Sequence, residues 1–391
     1  MNIGILGTRG VPPRYGGFET FASELGTRLV GRGHRVTVYC RNVAPALQPA
    51  HEPTESRLYD GIDRIVLPAI RHKYFETVSH AFFSVLDAVH DDFDVVLVCN
   101  AANAFVLPLL RAARIPTAIN VDGIERHRRK WNALGRAVYR LGESMSVVFA
   151  SRIVADAEVI AHYYREHFAA EPVVIPYGAD FPRESDSDIL PRLGITPRNY
   201  ILYVSRFEPE NNPLEVVLAY EKLADGRWPL AEEGRDGERR TANGEPPPLV
   251  MVGEGLYAKD LVRELQRHRS DRILFPGALY GADYRTLQRN ALVYIQATEV
   301  GGTHPAMIEA MGSGGAVLAH DTPENREVGG DAVRYFDLRP LETLSGTLHE
   351  CLRKPLELEE MRKAARQRVE ERYQWEKVTS DYERLFAELV D

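Results

Sequence analysis

The feature that most constrains this chain is an alternation of short apolar strands with helical segments that runs its course, breaks, and begins again. Asn2 to Leu6 is an apolar strand ending in a glycine-rich turn, GTRGVPPRYGG, after which Phe18, Phe21, Leu25 and Leu29 recur at helical spacing. The helix stops at Gly31-Arg32-Gly33, and Arg35 to Cys40 reads as the next strand. Strand, helix and strand in one short span form a βαβ unit, which requires a parallel sheet with right-handed crossovers. Further strands at Asp94 to Val98, Thr117 to Val121, Ile153 to Ala155 and Val173 to Ile175 lie among helical segments. The first half is one α/β domain ending near Tyr177-Gly178-Ala179-Asp180.

A polar stretch, Pro182 to Asp188, reads as a linker, and the alternation then restarts. Strands are expected at Tyr200 to Val204, Leu249 to Val252, Arg272 to Phe275, Leu292 to Gln296 and Ala316 to Ala319. Helices are expected at Leu214 to Leu223 and Ala306 to Met311. Between the first helix and second strand of this half lies a polar insert, Gly226 to Pro248, whose composition suits an exposed loop. The division is 1–182, 183–370 and a C-terminal helix over 371–391 that packs back on the first domain.

Bulk properties narrow the function. A formal net charge of −8 argues against a nucleic-acid binder, whose phosphate contacts call for a basic surface. Cysteines are only three, Cys40, Cys99 and Cys351, too few and too scattered for a disulfide framework or a cysteine-based zinc site. The first residues, MNIGILGTRG, do not read as a signal peptide, and no apolar run approaches the ~20 residues of a membrane helix. A cytoplasmic protein is expected, with peripheral contact at the inner face of the cell membrane left open.

The segment richest in chemistry is Glu299-Val-Gly-Gly-Thr-His-Pro-Ala-Met-Ile-Glu309-Ala-Met-Gly. Its layout is strand, glycine loop, then a helix starting near Pro305. Gly301 and Gly302 let the backbone approach a ligand closely. Proline in the first turn and the positive helix end favour a phosphate or sugar hydroxyls there. Glu309, about one turn in, can accept hydrogen bonds from a vicinal diol such as a ribose. The bland alternative is an ordinary turn with a solvated glutamate.

This segment resembles the donor-site signature of retaining family 4 glycosyltransferases, which have the GT-B architecture of two facing Rossmann-like domains. GGTHPAMIEAM is closest to a bacterial subgroup that includes rhamnosyltransferases of cell-surface polysaccharide assembly. GTRGVPPRYGGFETF, VDGIERHRRKW, YGAD, SRFEPENN and DTPENREV, in this order, resemble the same subgroup. The resemblance implies an acceptor-side first domain, a nucleotide-sugar-binding second domain and an interdomain cleft.

It also implies roles. Glu309 takes the donor ribose. The wider family's second glutamate, eight residues earlier, is here Gly301, so sugar binding shifts to backbone N–H groups around Gly302, Thr303 and His304. His304 invites a reading as catalytic base, but shaping the loop fits its neighbours better. Arg206, at the end of a strand, is placed on the donor pyrophosphate, where a guanidinium offers paired donors and offsets leaving-group charge. The partner lysine five residues on is here Asn211. Either Asn211 or Asn212 then hydrogen-bonds phosphate, with cationic help from Arg9 or Arg14. Gly16 and Gly17 match the glycine pair facing the diphosphate.

In the first domain, Asp122 and Glu125 are candidates for hydrogen bonds to the donor sugar or acceptor; a capping box is the structural alternative. Neither is a covalent nucleophile, because the implied retaining route is same-face attack assisted by the leaving phosphate. Arg126, His127, Arg128, Arg129, Lys130 and Trp131 form a basic run, either a solvated helix face or a patch for a polyprenyl-diphosphate acceptor and an anionic membrane. Asp186-Ser187-Asp188 mimics a metal triplet but reads as a turn or cap, so neither metal nor cofactor is expected. The implied activity moves a hexose or deoxyhexose, best matched by rhamnose from dTDP-rhamnose, to a glycan or lipid-linked acceptor. An NADP-dependent oxidoreductase is the competitor, since Arg41 suits a 2′-phosphate, although Gly4, Gly7 and Gly10 do not make G-x-G-x-x-G. A non-catalytic carbohydrate-binding regulator is another.

Overall fold

The computed structural model describes residues 1–13, 16–42, 57–70, 75–124, 126, 128, 132–181, 187–225, 246–255 and 258–391. They form two compact units: Met1–Gly178 with Gly301–His304 and Tyr373–Asp391, and Ala179–Val300 with Pro305–Arg372.

The first unit is built on β1 (Asn2–Leu6), β2 (Arg35–Arg41), β3 (Leu58–Tyr59), β4 (Ile62–Leu67), β5 (Val95–Cys99), β6 (Thr117–Asn120), β7 (Arg152–Ala155) and β8 (Val173–Val174). Their order in the sheet is β3-β4-β2-β1-β5-β6-β7-β8. Apolar runs at β1 and β5 are buried on both faces because helices cover a parallel sheet from both sides. Every pairing is parallel except β3 with β4. That hairpin turns at Asp60-Gly61, both at positive φ, the conformation its two-residue turn demands. The sequence reading passed over this Asp-Gly signal. The helix Trp375–Val390 belongs to the same unit; its Tyr382 ring lies 5.4 Å from Phe21, and its Trp375 covers Gly178, where a Cβ would come within 2.5 Å.

The second unit contains β9 (Ile201–Val204), β10 (Leu249–Val252), β11 (Ile273–Gly277), β12 (Val293–Gln296), β13 (Val317–His320) and β14 (Arg334–Phe336). They form an all-parallel sheet in the order β11-β10-β9-β12-β13-β14. Its core gathers Tyr203, Phe207, Val217, Met251, Ile295 and Leu318. The three-residue β14 is too short to announce itself by periodicity.

One expectation for the connecting segments changes. Pro246, Pro247 and Pro248 are buried, so the exposed insert does not extend into them; 226–245 lies outside the described residues. Of the linker, Ser187 accepts from the Ile189 N–H at 3.2 Å, capping the short helix Ile189–Arg192, and donates to Asp283 at 2.5 Å. Asp188 pairs with Arg192.

Candidate active site

Among the parallel strands of each sheet the order reverses once, and loops leaving the carboxyl ends of the two strands at that reversal are where open α/β sheets bind ligands. In the second unit these strands are β9 and β12. Arg206 lies two residues beyond the end of β9 and is half-buried. Its carbonyl accepts from Asn211 Nδ2 at 2.7 Å, and the Tyr203 hydroxyl donates to the Asn211 carbonyl at 2.7 Å. Asn212 stands at φ 55, a left-handed conformation asparagine tolerates, and its Nδ2 donates to the Ala297 carbonyl at 2.8 Å. The Glu299 N–H donates to the Glu210 carbonyl at 2.9 Å. Asn212 thus laces the β9 and β12 loops together, while Asn211 braces the loop after β9. This corrects the expectation that they face phosphate: Asn211 is buried and its amide holds the Arg206 backbone instead.

The loop after β10 adds residues the sequence reading missed. Gly253, at φ 149, passes so close to Ser205 that a Cβ would sit 1.8 Å from its carbonyl oxygen, and Gly255 crowds the Phe207 carbonyl at 2.7 Å. The Phe207 N–H donates to the Glu254 carbonyl at 2.9 Å. Gly-Glu-Gly directly after an apolar strand was the available signal.

Glu309 lies in the helix Pro305–Gly312 and accepts a hydrogen bond from the Tyr284 hydroxyl, which itself accepts from Gln288 Nε2 at 2.8 Å. Burial first, then the Glu309 charge, pushes Tyr284 well above the ordinary tyrosine range, so it remains a donor. A carboxylate oriented by a neutral donor and still half-exposed is suited to take a diol. Tyr284 had no sequence signal, lying 25 residues away.

In the first unit the reversal falls between β1 and β5. Gly7, at φ 95, abuts the Cys99 carbonyl, where a Cβ would come within 2.3 Å. Gly16 caps the helix Gly17–Gly31 in extended backbone, and both glycines are half-exposed at its positive end. Arg9 pairs with Glu76 at 3.5 Å, and Arg41 pairs with the same carboxylate at 3.2 Å; Arg14 lies outside the described residues. Arg41 is buried in this pairing, which removes the one residue that favoured an NADP phosphate.

Asp122 follows β6 at φ 52, with its N–H donated to Asn120 Oδ1 at 2.9 Å and its Oδ1 3.5 Å from the Tyr177 hydroxyl. Glu125 lies outside the described residues, as do His127, Arg129, Lys130 and Trp131. The basic run is corrected where it is described. Arg126 turns inward, 3.4 Å from Glu143 and 2.9 Å from the Tyr163 hydroxyl, and Arg128 is buried.

Beside Asp122 stands Asp156, which the sequence reading missed although it directly follows the apolar strand β7. It is wholly buried. Its Oδ2 accepts from the Thr303 N–H at 2.7 Å and from Thr303 Oγ1 at 3.0 Å, and its carbonyl accepts from Thr303 Oγ1 at 2.8 Å. Gly302 presses on the carboxylate so closely that a Cβ would lie 2.0 Å from Oδ1. Burial, then the charge of Asp122, drives the Asp156 pKa well up. The Thr303 N–H is therefore taken by Asp156, which corrects its expected place among the ligand-binding backbone groups.

Gly301 also gains a reason. The His304 ring lies over it, 2.4 Å from where a Cβ would stand, and Gly123 packs on its other side, its own Cβ position 2.5 Å from the Gly301 carbonyl carbon. A glutamate at 301 has no room. His304 Nε2 is buried without a partner, and burial, then the Arg128 charge, lowers its pKa to about 4. The ring is neutral at physiological pH and shapes the loop.

The comparisons agree with this geometry. Residues 15–183 match the profile of Glycosyltransferase Family 4, and residues 187–368 match that of Glycosyl transferases group 1. Sucrose-phosphate synthase from Thermosynechococcus elongatus is similar in fold, with a TM-score of 0.78 at 17% identity, covering 99% of this chain and 98% of its own. HepE of Anabaena, in complex with UDP-glucose, has a TM-score of 0.75 at 16% identity, with 99% of each chain covered. A glycosyltransferase from Rickettsia africae has a TM-score of 0.69 at 14% identity, covering 100% of this chain and 98% of its own. No curated protein matches the chain in sequence. The class is thus a GT-B glycosyltransferase. Within it, the chain is a family 4-like glycosyltransferase, its two profiles meeting near the junction of the two units.

Proposed function

We propose that this glycosyltransferase takes a hexose or deoxyhexose from a nucleoside-diphosphate sugar bound by the second unit and passes it, with retention, to a glycan or lipid-linked acceptor. The observation that carries the reading is the placement of Arg206 and Glu309 in loop and helix following β9 and β12, the two strands at the reversal of the second sheet. Glu309, oriented by Tyr284, takes the ribose diol. Arg206 and the N–H groups opening the helix Pro305–Gly312 offset the charge growing on the leaving diphosphate, a task that needs no metal. Asp122 hydrogen-bonds the transferred sugar or the incoming hydroxyl. HepE of Anabaena, similar in fold, is complexed with a donor of this chemical class. The choice of rhamnose from dTDP-rhamnose, and of surface polysaccharide as product, is supported by the GGTHPAMIEAM loop alone.

The test is a thermal-shift and donor-hydrolysis panel of nucleotide sugars, with EDTA present and absent. Stabilisation by nucleoside diphosphates, hydrolysis of dTDP-rhamnose and indifference to EDTA are expected. Stabilisation by NADP in place of nucleoside diphosphates would sink the reading, and turnover of a different sugar would replace rhamnose while leaving the class intact.

A further inference from the structure

The second unit carries a concentration of positive charge that the proposed chemistry does not use. A cavity of about 290 Å³ is lined by Arg198, Arg289, Arg362, Lys363 and Arg366, with Glu359 the single acid among its described lining residues. In a chain of net charge −8, composition alone does not supply five cations around one hollow.

The fold explains how they meet. Arg198 sits in the turn before β9, and Arg289 lies near the end of the helix Gly281–Asn290 that leads into β12. Ser313 and Gly314, also in the lining, form the turn that leads into β13. All of these positions lie at the amino ends of parallel strands, whereas Arg206 and the helix carrying Glu309 follow carboxyl ends. The cavity is therefore apart from the proposed donor site, at the opposite edge of the same sheet. Glu359, Arg362, Lys363 and Arg366 recur three and four apart on the helix Pro355–Arg372, so one helix face completes the wall.

Two of the cations have structural duties. Arg198 Nη1 donates to the Ala291 carbonyl at 2.8 Å and to the Gly314 carbonyl at 3.4 Å, and Arg362 Nη2 donates to the Leu292 carbonyl at 2.8 Å. These bonds fix the guanidinium groups, and Arg198 offsets the negative end of the helix Pro305–Gly312, which would otherwise repel an anion. Glu359 is engaged by Arg362 at 3.2 Å. Lys363 and Arg366 are exposed and form no ion pair among the described residues. Arg366 is steadied over the Phe181 ring at 5.2 Å. Carbonyl capping thus accounts for Arg198 and Arg362, but gives Lys363 and Arg366 no group of opposite charge.

A hollow walled by fixed cations focuses positive potential, and guanidinium donors match phosphate oxygens. The volume lies near the low end of small-molecule sites, about 300–1,000 Å³, so the ligand is compact. A lone phosphate would leave most of these cations unmatched, whereas several phosphates close together engage them.

We propose that this cavity is a second ligand site, which binds a compact anion bearing several phosphate groups. The proposal does not depend on which sugar the enzyme moves. The test is calorimetric titration of tripolyphosphate and, separately, of a hexose bisphosphate into the full chain, which distinguishes a phosphate chain from a phosphorylated sugar. Saturable binding of at least one of them is expected, kept by Arg206→Ala and weakened roughly tenfold or more by K363E/R366E. Both replaced residues are exposed, so that variant keeps the wild-type melting temperature and nucleoside-diphosphate binding. K363Q, which removes one charge without reversing it, weakens binding several-fold and guards against a loss caused by misfolding. A wild type that binds neither compound at millimolar concentration would overturn the proposal. So would binding that Arg206→Ala removes and K363E/R366E keeps, because the compound would then occupy the donor's diphosphate place. A wild type that binds here but takes up no nucleoside diphosphate would count against the proposed activity and leave this site standing.

Discussion

Glu309 and Asp156 are both carboxylates at the mouths of parallel sheets, and the two units use them in opposite ways. Glu309 is half-exposed, oriented by a tyrosine hydroxyl, and its helix follows the strand at the reversal of the second sheet. Asp156 is wholly buried, held on the Thr303 N–H and hydroxyl, and biased toward its neutral form. In the function proposed above the first meets the ligand, while the second fixes the loop that precedes the helix carrying Glu309. Exposure and partner, rather than residue type, separate the two tasks.

The sharpest way to break this comparison is to remove the charge assigned to the leaving group. Arg206→Ala is expected to lower kcat/KM by about 10²–10³, the scale of losing a preorganised donor to developing charge, with folding unchanged. A melting temperature that falls along with activity would assign Arg206 to the scaffold instead.

Asp156→Ala should act on stability first. Leaving the buried Thr303 N–H and hydroxyl without acceptors costs about 3 kcal/mol in chemical denaturation, whereas Asp156→Asn, which keeps an acceptor and loses no favoured charge, costs about 1 kcal/mol. Equal losses in the two variants would mean that the charge itself is required.

Acid behaviour supplies a third test. Burial, reinforced by the Arg41 charge, lowers His80 from its ordinary 6.5 to about 4. Between those values the unfolded chain binds a proton that the native state refuses. Stability from this site is complete above about pH 6.5 and falls as the pH drops toward 4, by up to ~3 kcal/mol. Asp156, shifted upward, has the opposite sign: its contribution is present in acid and is lost as pH rises through its native value. His80→Phe should flatten the acid limb of a stability–pH profile, and an unchanged limb would reassign it to other groups. The smallest effect expected is that of Asp122→Asn, about tenfold in kcat with little change in donor affinity. Unchanged kinetics would make Asp122 a loop residue.

The sheets were legible because buried parallel strands are continuous apolar runs, as at Val95–Cys99 and Leu249–Val252. The β3–β4 hairpin is signalled by Asp60-Gly61 alone, because β3 has only two residues, and β14 has only three. Arg206 and Glu309, the residues of the proposed donor site, stand out in the sequence because each belongs to a motif confined to one short stretch of chain. What a motif cannot show is where a side chain's hydrogen bonds go. Asn211 occupies a phosphate-binding place in the pattern and yet ties down the Arg206 carbonyl, and Arg126 reads as surface charge yet pairs with Glu143. Asp156 and Thr303 meet across 147 residues of chain, a separation at which one sequence carries no pairing signal.

The most direct test of the account is calorimetric titration of a nucleoside diphosphate into the wild type, Glu309→Ala and Glu299→Ala. Binding at least tenfold weaker in Glu309→Ala, with Glu299→Ala within about twofold of the wild type, is the expected result. Equal weakening in both, or none in Glu309→Ala, would contradict the assignment of the donor to Glu309.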